Sequence, residues 1–214
     1  MEKTTFIDIT PTINHQLAVF PGDVPFTRKV SLSFEKGDHL TLSSINTTVH
    51  LGAHTDAPLH YHPQGESIHQ RALSFYYGKC QVIEVHLKPN ERIYPHYIEE
   101  IDILAPRVLF KTNSFCGPTK WRNDFNSLSP ELIDGLHQKN VILIGLDTPS
   151  IDPAADKELL SHHMIYQKNM AILEGIDLTH VDPGCFKLIA LPLKIENADA
   201  SPVRAVLIRE ECEN

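Results

Sequence analysis

The segment "HLGAHTDAPLHYH", residues 50–62, gathers four histidines and an aspartate around Gly52 and Pro58. Two histidines four residues apart could share a metal ion from one face of a helix. The β-branched residues before this segment, its glycine and its proline disfavour a helix. Extended structure is therefore predicted, with His50, His54 and Asp56 pointing to one side of the strand.

A straight strand would hold the first two histidines too far apart to share a metal ion. At about 3.3 Å per residue, His50 and His54 would be about 13 Å apart, whereas Zn–N bonds are about 2.0–2.1 Å long. The chain must bend between them, and Gly52 is the residue that permits the bend. We interpret the segment as a metal site rather than as an exposed polar loop.

Further ligands must come from elsewhere in the chain, and residues 161–176, "SHHMIYQKNMAILEGI", are the best source. They offer His162 or His163, followed by Glu174 in an apolar run. A buried carboxylate is costly unless it is paired or binds a metal. These residues alone leave open whether Glu174 is a ligand or an exposed residue at a strand end. Asp147, at the end of a predicted strand, is expected to support the site.

The composition favours one compact domain, because 42% of the 214 residues are hydrophobic and no linker is visible. The formal net charge of −8 argues against a nucleic-acid partner. No apolar run approaches the roughly 20 residues of a membrane span. The start of the sequence, "MEKTTFIDIT", lacks the apolar core of a signal peptide, so we expect a cytoplasmic protein. The four cysteines form no C-x-x-C pair, which excludes a zinc ribbon, and we expect free thiols.

The pattern of β-branched and aromatic segments predicts a mixed α/β fold. Ser129 and Pro130 mark the start of a helix over 129–140, and a second helix is predicted over 156–168. The strand–helix–strand order over 107–148 indicates a partly parallel sheet, while a C-terminal pair of strands should be antiparallel. The predicted strands cover 5–10, 40–51, 80–87, 107–112, 141–148, 186–195 and 202–210. We expect a single domain over 1–214.

These residues together resemble the metal-dependent cyclase family, whose marker is H-x-G-[T/A]-H-x-D-x-P-x-H. The matching positions are His50, Gly52, Ala53, His54, Asp56, Pro58 and His60. The resemblance extends in matching order to 19–26, 144–153, 162–163, 171–176 and 188–207. The forms "HLGAHTDAPLHY" and "DASPVRAVL" resemble the arylformamidase branch of that family.

The resemblance implies a swivelling β/β/α fold, with a barrel-like sheet flanked by helices, and a centre of two divalent metal ions per subunit. Zinc is expected, with manganese or cobalt as alternatives. The resemblance also selects His162 over His163 and gives no role to His62 or His69. It implies that one metal ion is held by His50, His54 and Asp56, that Asp56 bridges to a second held by His162, and that Glu174 contacts both.

The activity implied is hydrolysis of N-formyl-L-kynurenine to L-kynurenine and formate in tryptophan catabolism. A metal-activated hydroxide would attack, with His60 as general acid/base. The resemblance also suggests a homodimer that acts on a small aryl formamide. Phe20 would contact the substrate at a position where many relatives have tryptophan, so it offers a stacking face without an indole N–H.

Three other functions are compatible with parts of the sequence. A hydrolase of isatin or another cyclic amide or lactone would use the same metal centre with a different pocket. A non-catalytic, metal-stabilised binding protein would have no use for an unliganded His60 beside the metals. A serine or cysteine hydrolase is disfavoured, because the sequence contains no G-x-S-x-G motif.

Overall fold

A curled, mixed sheet of seven strands forms the centre of the structure, a computed structural model that describes residues 5–115 and 119–209. The strands in chain order are β1 (Phe6–Asp8), β2 (Thr27–Leu32), β3 (Leu42–Asn46), β4 (His54–Asp56), β5 (Tyr77–Glu84), β6 (Arg92–Ile93), β7 (Arg107–Lys111), β8 (Ser127–Leu128), β9 (Leu143–Leu146), β10 (Ala171–Leu173), β11 (Gly184–Ile189), β12 (Ala200–Pro202) and β13 (Val206–Arg209). The α-helices are α1 (Pro130–Gln138) and α2 (Leu160–Gln167). Short 3-10 helices cover Phe34–Lys36, Pro58–His60, Ile68–Gln70, Leu73–Phe75 and Pro95–Tyr97.

The order of strands across the central sheet is β1-β13-β11-β5-β7-β9-β10. Strands β5, β7, β9 and β10 pair parallel with their neighbours in that order. The pairs β1–β13, β13–β11 and β11–β5 are antiparallel. This confirms the predicted single-domain α/β fold with a mixed, barrel-like sheet. The remaining pairs are β2 with β3, β4 with β12, and β6 with β8.

Both faces of the parallel part of the sheet are buried, as its uninterrupted apolar strands require. Alternate residues point to opposite faces: Val82 and Leu109 belong to one apolar cluster, and Ile83 and Phe110 to the other. Helices α1 and α2 contribute to the second cluster. Ser129 caps α1 as predicted, because its side chain accepts a hydrogen bond from the amide of Leu132.

Several predicted elements differ from the observed ones in their bounds, and three of these differences bear on the site. The strand predicted over 40–51 ends at Asn46, because the chain turns before the histidine segment. The second helix starts at Leu160 instead of residue 156, since residues 153–156 form a turn. The C-terminal strands pair antiparallel as β11 and β13, but β12 leaves the connection between them to pair with β4. That departure places residue 199 beside the histidine segment.

Two further findings bear on the cysteines and on membranes. Cys80 is a free, fully buried thiol, whereas Cys185 is disulfide-bonded, so the expectation of free thiols is wrong for Cys185. Neither α-helix in the described part of the chain is long and apolar enough to cross a membrane.

Candidate metal centre

The histidine segment folds as a bend followed by a short strand. Gly52 has φ +57°, in the left-handed region, and β4 begins two residues later at His54. The predicted extended segment with a hinge at Gly52 is therefore present. A 3-10 helix with Pro58 at its first position follows and ends at His60. The bend brings the side chain of His50 back toward those of β4.

One set of metal-capable atoms consists of His50 Nδ1, His54 Nε2 and Asp56 Oδ1. His50 Nδ1 lies 2.9 Å, and His54 Nε2 3.5 Å, from Asp56 Oδ1. His54 Nε2 also lies 3.2 Å from Glu174 Oε2. We call these atoms the first donor group; His50, His54 and Asp56 could hold a metal ion together.

The second donor group is formed by Asp56, His162 and Glu174, which are all buried. His162 Nε2 lies 3.6 Å from Asp56 Oδ2 and 3.8 Å from Glu174 Oε1. Each carboxylate thus turns one oxygen toward each donor group. The structure therefore brings together all five side chains that the resemblance implies as ligands.

The spacing of these atoms fits bound cations better than direct hydrogen bonds. Two ligands at about 2.1 Å from a tetrahedral zinc ion are about 3.4 Å apart. The four N···O separations that link His54 and His162 to the two carboxylates are 3.5, 3.2, 3.6 and 3.8 Å. Asp56 Oδ1 is buried and accepts no well-aligned hydrogen bond, and its contact with His50 Nδ1 at 2.9 Å is an ion pair only while that imidazole is protonated. A buried carboxylate oxygen without a donor is unfavourable, and a cation would satisfy it.

His60 lies beside the donor groups but stays more accessible. Its side chain is 36% exposed, and its Nε2 is 4.0 Å from Asp56 Oδ2. Its Nδ1 lies 3.5 Å from Asp199 Oδ2, an oxygen that also lies 2.9 Å from His50 Nε2. His50, His60 and Asp199 form a third group that could hold a metal ion. The ring of His60 therefore lines the cavity beside the donor groups and is open to it.

Buried hydrogen bonds fix the two ligand candidates that come from the second half of the chain. Asp152 Oδ2 lies 2.8 Å from His162 Nδ1, and Arg92 donates to Asp152 Oδ1 at 2.8 Å. The backbone amide of Ile151 donates to Glu174 Oε1 at 2.7 Å. A carboxylate on the far ring nitrogen of a histidine fixes its tautomer and orientation toward a metal. His162 is therefore held with Nε2 directed at the shared carboxylates.

The charges of the site shift the pKa values of its members strongly. Burial alone would lower the pKa of His50, but Asp56 and Asp199 outweigh it and raise the pKa to about 10. Burial has the same effect on His162, and Asp152 and Asp56 raise its pKa to about 10. Burial would raise the pKa of Asp56, yet the surrounding histidines hold it well below its usual range. The Asp56 carboxylate therefore stays ionised and could hold a cation in contact with it.

The donor groups lie on the wall of a cavity of about 500 Å³. Phe20, the predicted substrate contact, lines the same cavity, and so does Trp121. Asp147 lines the cavity as well, and its carboxylate accepts hydrogen bonds from the backbone amides of Thr112 and Asn113. The volume lies in the range of pockets that enclose small organic ligands.

The other histidines near the motif are engaged elsewhere. His62 stacks on Tyr166 with ring centroids 3.9 Å apart. The Nδ1 of His69 lies 2.8 Å from the hydroxyl of Ser67. Neither they nor His163 belong to a metal-capable group among the described residues.

Comparison with known proteins shows which family the chain belongs to. A family model described as "Putative cyclase" matches residues 7–153 of the chain. The kynurenine formamidases of Bordetella petrii and Bordetella pertussis are each 42% identical to it over 201 residues, which cover 94% of this chain and 96% of each relative. The chain belongs to the cyclase family. The resemblance recognised in the sequence is thereby confirmed.

Solved structures of cyclase-like hydrolases share the fold. A potential metal-dependent hydrolase with cyclase activity superposes with a TM-score of 0.83 at 25% identity, over 98% of this chain and 100% of that chain. Isatin hydrolase A from Ralstonia solanacearum superposes with a TM-score of 0.82 at 20% identity, over 97% of this chain and 92% of that chain. At that identity the second likeness establishes the fold alone.

Three residues that line the cavity or support its donor groups were not predicted from the sequence. Asp152 accepts hydrogen bonds from the amides of Ser161 and His162 at the start of α2, but it lies nine residues before Ser161, so no capping pattern in the sequence marks it. Asp199 carries no local signal, since only the pairing of β12 with β4 places it beside His50. The place of Trp121 likewise depends on contacts that are distant in sequence.

Proposed function

We propose that this protein is an arylformamidase that hydrolyses N-formyl-L-kynurenine to L-kynurenine and formate, a step of tryptophan catabolism. The observation that carries the proposal is the arrangement of three histidines, His50, His54 and His162, around the carboxylates of Asp56 and Glu174, with His60 left accessible beside them. The choice of substrate is supported by the 42% identity to kynurenine formamidases over nearly the whole chain. Residues 1–214 would act as one hydrolase domain.

Two divalent cations, when bound, supply a hydroxide nucleophile at neutral pH and positive charge for the oxyanion that develops. His50, His54 and Asp56 would hold one cation, and His162 would hold the other. Asp56 and Glu174 would contact both, because each turns one oxygen to each group. Zinc is the proposed metal, since the nitrogen and oxygen donors and their spacing suit it, although manganese and cobalt accept the same donors.

His60 would move the proton that amide hydrolysis requires. Its Nε2 faces Asp56 Oδ2 at 4.0 Å, and its ring is open to the cavity. Nε2 would accept a proton as water adds to the formyl carbon, and return it to the aryl nitrogen as the C–N bond breaks. Water and the neutral amide thus give formic acid and the free aryl amine, and the acid releases one proton as it ionises to formate, so atoms and charge balance. A non-catalytic metal site would not need an accessible imidazole in this place.

The experiment that tests the proposal measures formate released from N-formyl-L-kynurenine by protein of known metal content, with and without a chelator. We expect turnover that the chelator abolishes and added Zn²⁺ restores. Isatin serves as the competing substrate, because ring opening by the same centre would indicate a cyclic-amide hydrolase. A faster rate on isatin would overturn the choice of substrate, and turnover by metal-free protein would overturn the metal mechanism.

The assembly and the partners of the protein are further proposals. A homodimer is supported by the β2–β3 hairpin, which exposes Phe34, Leu42 and Ile45 by more than half. A surface of this kind marks interaction sites, and light scattering of the purified protein would give the mass. The net charge of −8 supports the absence of a nucleic-acid partner. A cytoplasmic location stays a prediction from the sequence.

A further inference from the structure

Four aromatic rings, Phe20 and three rings from residues 115–125, form one connected cluster. Trp121 contacts Phe20 with ring centroids 4.9 Å apart, in an edge-to-face arrangement with an interplanar angle of 65°. Phe115 and Phe125 contact the same indole at 5.7 and 6.0 Å. Phe125 is fully buried, while Phe20, Phe115 and Trp121 line the cavity that holds the donor groups. We call Phe20 and Trp121 the aromatic wall.

Hydrogen bonds of the backbone beside Phe20 and of the indole N–H of Trp121 hold this wall in place. The amide of Asp23 donates to the carbonyl oxygen of Phe20 at 2.9 Å, and the hydroxyl of Thr48 donates to the Asp23 carboxylate at 3.2 Å. The indole N–H of Trp121 donates to Asn123 Oδ1 at 2.6 Å. Because the indole N–H is already engaged, what Trp121 presents to the cavity is its ring.

The position of Trp121 matters because Phe20 stands where many relatives have tryptophan. A phenyl ring offers less stacking surface than an indole. Trp121 reaches the same part of the cavity from a segment a hundred residues away and places an indole beside the phenyl ring of Phe20. A planar ligand ring that stacks on one member of the wall meets the edge of the other. Such a corner discriminates between flat aromatic groups and flexible alkyl groups.

We propose that Trp121 is a specificity-determining residue, which together with Phe20 binds the aromatic ring of an aryl formamide. This inference rests on the proposed function, since it concerns the substrate of the same site. Trp121 would contribute to binding and leave proton transfer at His60 unchanged. Loss of the Trp121 side chain should therefore raise the KM for aryl substrates and leave kcat unchanged.

The kinetic test compares N-formyl-L-kynurenine with N-butylformamide in the metal-loaded enzyme. Trp121→Ala is expected to raise the KM for the aryl substrate about tenfold, to keep kcat within about twofold, and to leave kcat/KM for the alkyl substrate unchanged. Trp121→Phe should restore most of the aryl preference. Tyr94→Ala removes another exposed aromatic ring that does not line the cavity, and should match the unmodified protein.

A second measurement does not depend on activity. Trp121 is the only tryptophan of the chain, so intrinsic indole fluorescence reports on this wall alone. Titration with 2-aminoacetophenone, an aryl ketone with the ring pattern of kynurenine, should quench it saturably. Phe20→Leu should raise the dissociation constant obtained from this quenching about fivefold or more. Free N-acetyltryptophanamide corrects for absorption by the ligand.

The outcomes separate the inference from the proposed function. An active enzyme whose Trp121→Ala variant keeps the KM for the aryl substrate would overturn the inference and leave the function standing. A protein that does not hydrolyse aryl formamides would overturn the function, and the fluorescence titration would then decide the inference. Absence of saturable quenching by 2-aminoacetophenone contradicts an aryl site at Trp121 in either case.

Discussion

Gly175 packs directly against the carbonyl group of Gly52, so closely that any side chain on Gly175 would overlap that oxygen. Both residues have positive φ, at +65° and +57°. Next to them, His54 and Glu174 exchange two backbone hydrogen bonds of 3.0 and 2.9 Å. Two glycines thus allow the two ligand-bearing segments to approach each other.

Gly175→Ala should therefore destabilise the fold and disturb the metal centre. The new methyl group would meet backbone atoms that cannot move aside, and alanine is strained at this φ. We expect the free energy of unfolding to fall by about 2–4 kcal/mol, measured by urea denaturation in the presence of a chelator. The matched control is Gly135→Ala on α1, where a Cβ meets nothing within 4 Å. That change should stabilise the helix by about 0.5–1 kcal/mol, and equal effects of both variants would contradict the packing argument.

Replacement of His60 separates proton transfer from metal binding. His60→Ala should retain the metal content of the unmodified protein, because the five proposed ligands remain. Its kcat should fall by about 10²–10⁴-fold, the usual contribution of a general acid/base. Asp56→Ala should lose metal as well as activity, since it removes an oxygen from both donor groups. Unchanged turnover by metal-replete His60→Ala would remove His60 from the mechanism.

Asp152 should control how tightly the second donor group binds metal. Asp152→Asn removes the charge that holds His162 Nδ1, and loss of such a partner weakens metal affinity by about 10–100-fold. Asp156→Asn is the control, because Asp156 binds the other end of Arg92, at Nη2, and makes no hydrogen bond to His162 among those identified. Competition with a fluorescent chelator measures both affinities. Similar metal affinities of the two variants would show that the contact of Asp152 with His162 does not contribute to metal binding.

Metal binding should release protons. The pKa values of His50 and His162 are raised to about 10 in the metal-free protein, so both imidazoles are protonated at pH 7 and must lose a proton to bind a cation. Affinity for zinc should therefore rise with pH. Calorimetry at pH 7 in two buffers of different ionisation enthalpy should count about two protons released per chain. His162→Gln should lower that number by about one, and no buffer dependence would contradict the assigned protonation.

The same shifts set the pH dependence of stability without metal. A histidine whose folded pKa lies above the unfolded value of about 6.5 binds more protons in the folded state over the interval between them. Its stabilisation is complete below pH 6.5 and is lost as the pH rises toward about 10. Metal-free protein should therefore unfold at a lower urea concentration at pH 9 than at pH 7. The opposite order would contradict the pairing of these histidines with carboxylates.

The sequence predicted those parts of the site that depend on local geometry. The period of a strand and the length of a Zn–N bond require a bend at Gly52, and the structure has a positive φ there. The cap of α1 at Ser129 is equally local. The positions of Asp199 beside His50 and of Trp121 beside Phe20 are not local. They result from strand pairing and ring packing between segments a hundred or more residues apart. Period and capping rules carry no information about such contacts.

The measurement that tests the account most directly is a titration of metal-stripped protein with Zn²⁺, followed by the rate of formate release from N-formyl-L-kynurenine. We predict no turnover before Zn²⁺ is added, and a rate of formate release that rises until two equivalents of Zn²⁺ per chain are bound. Asp56→Asn should bind fewer equivalents, since both donor groups share that carboxylate. Full turnover by the stripped protein, or a rate that does not change when metal is added, would contradict the metal-dependent mechanism.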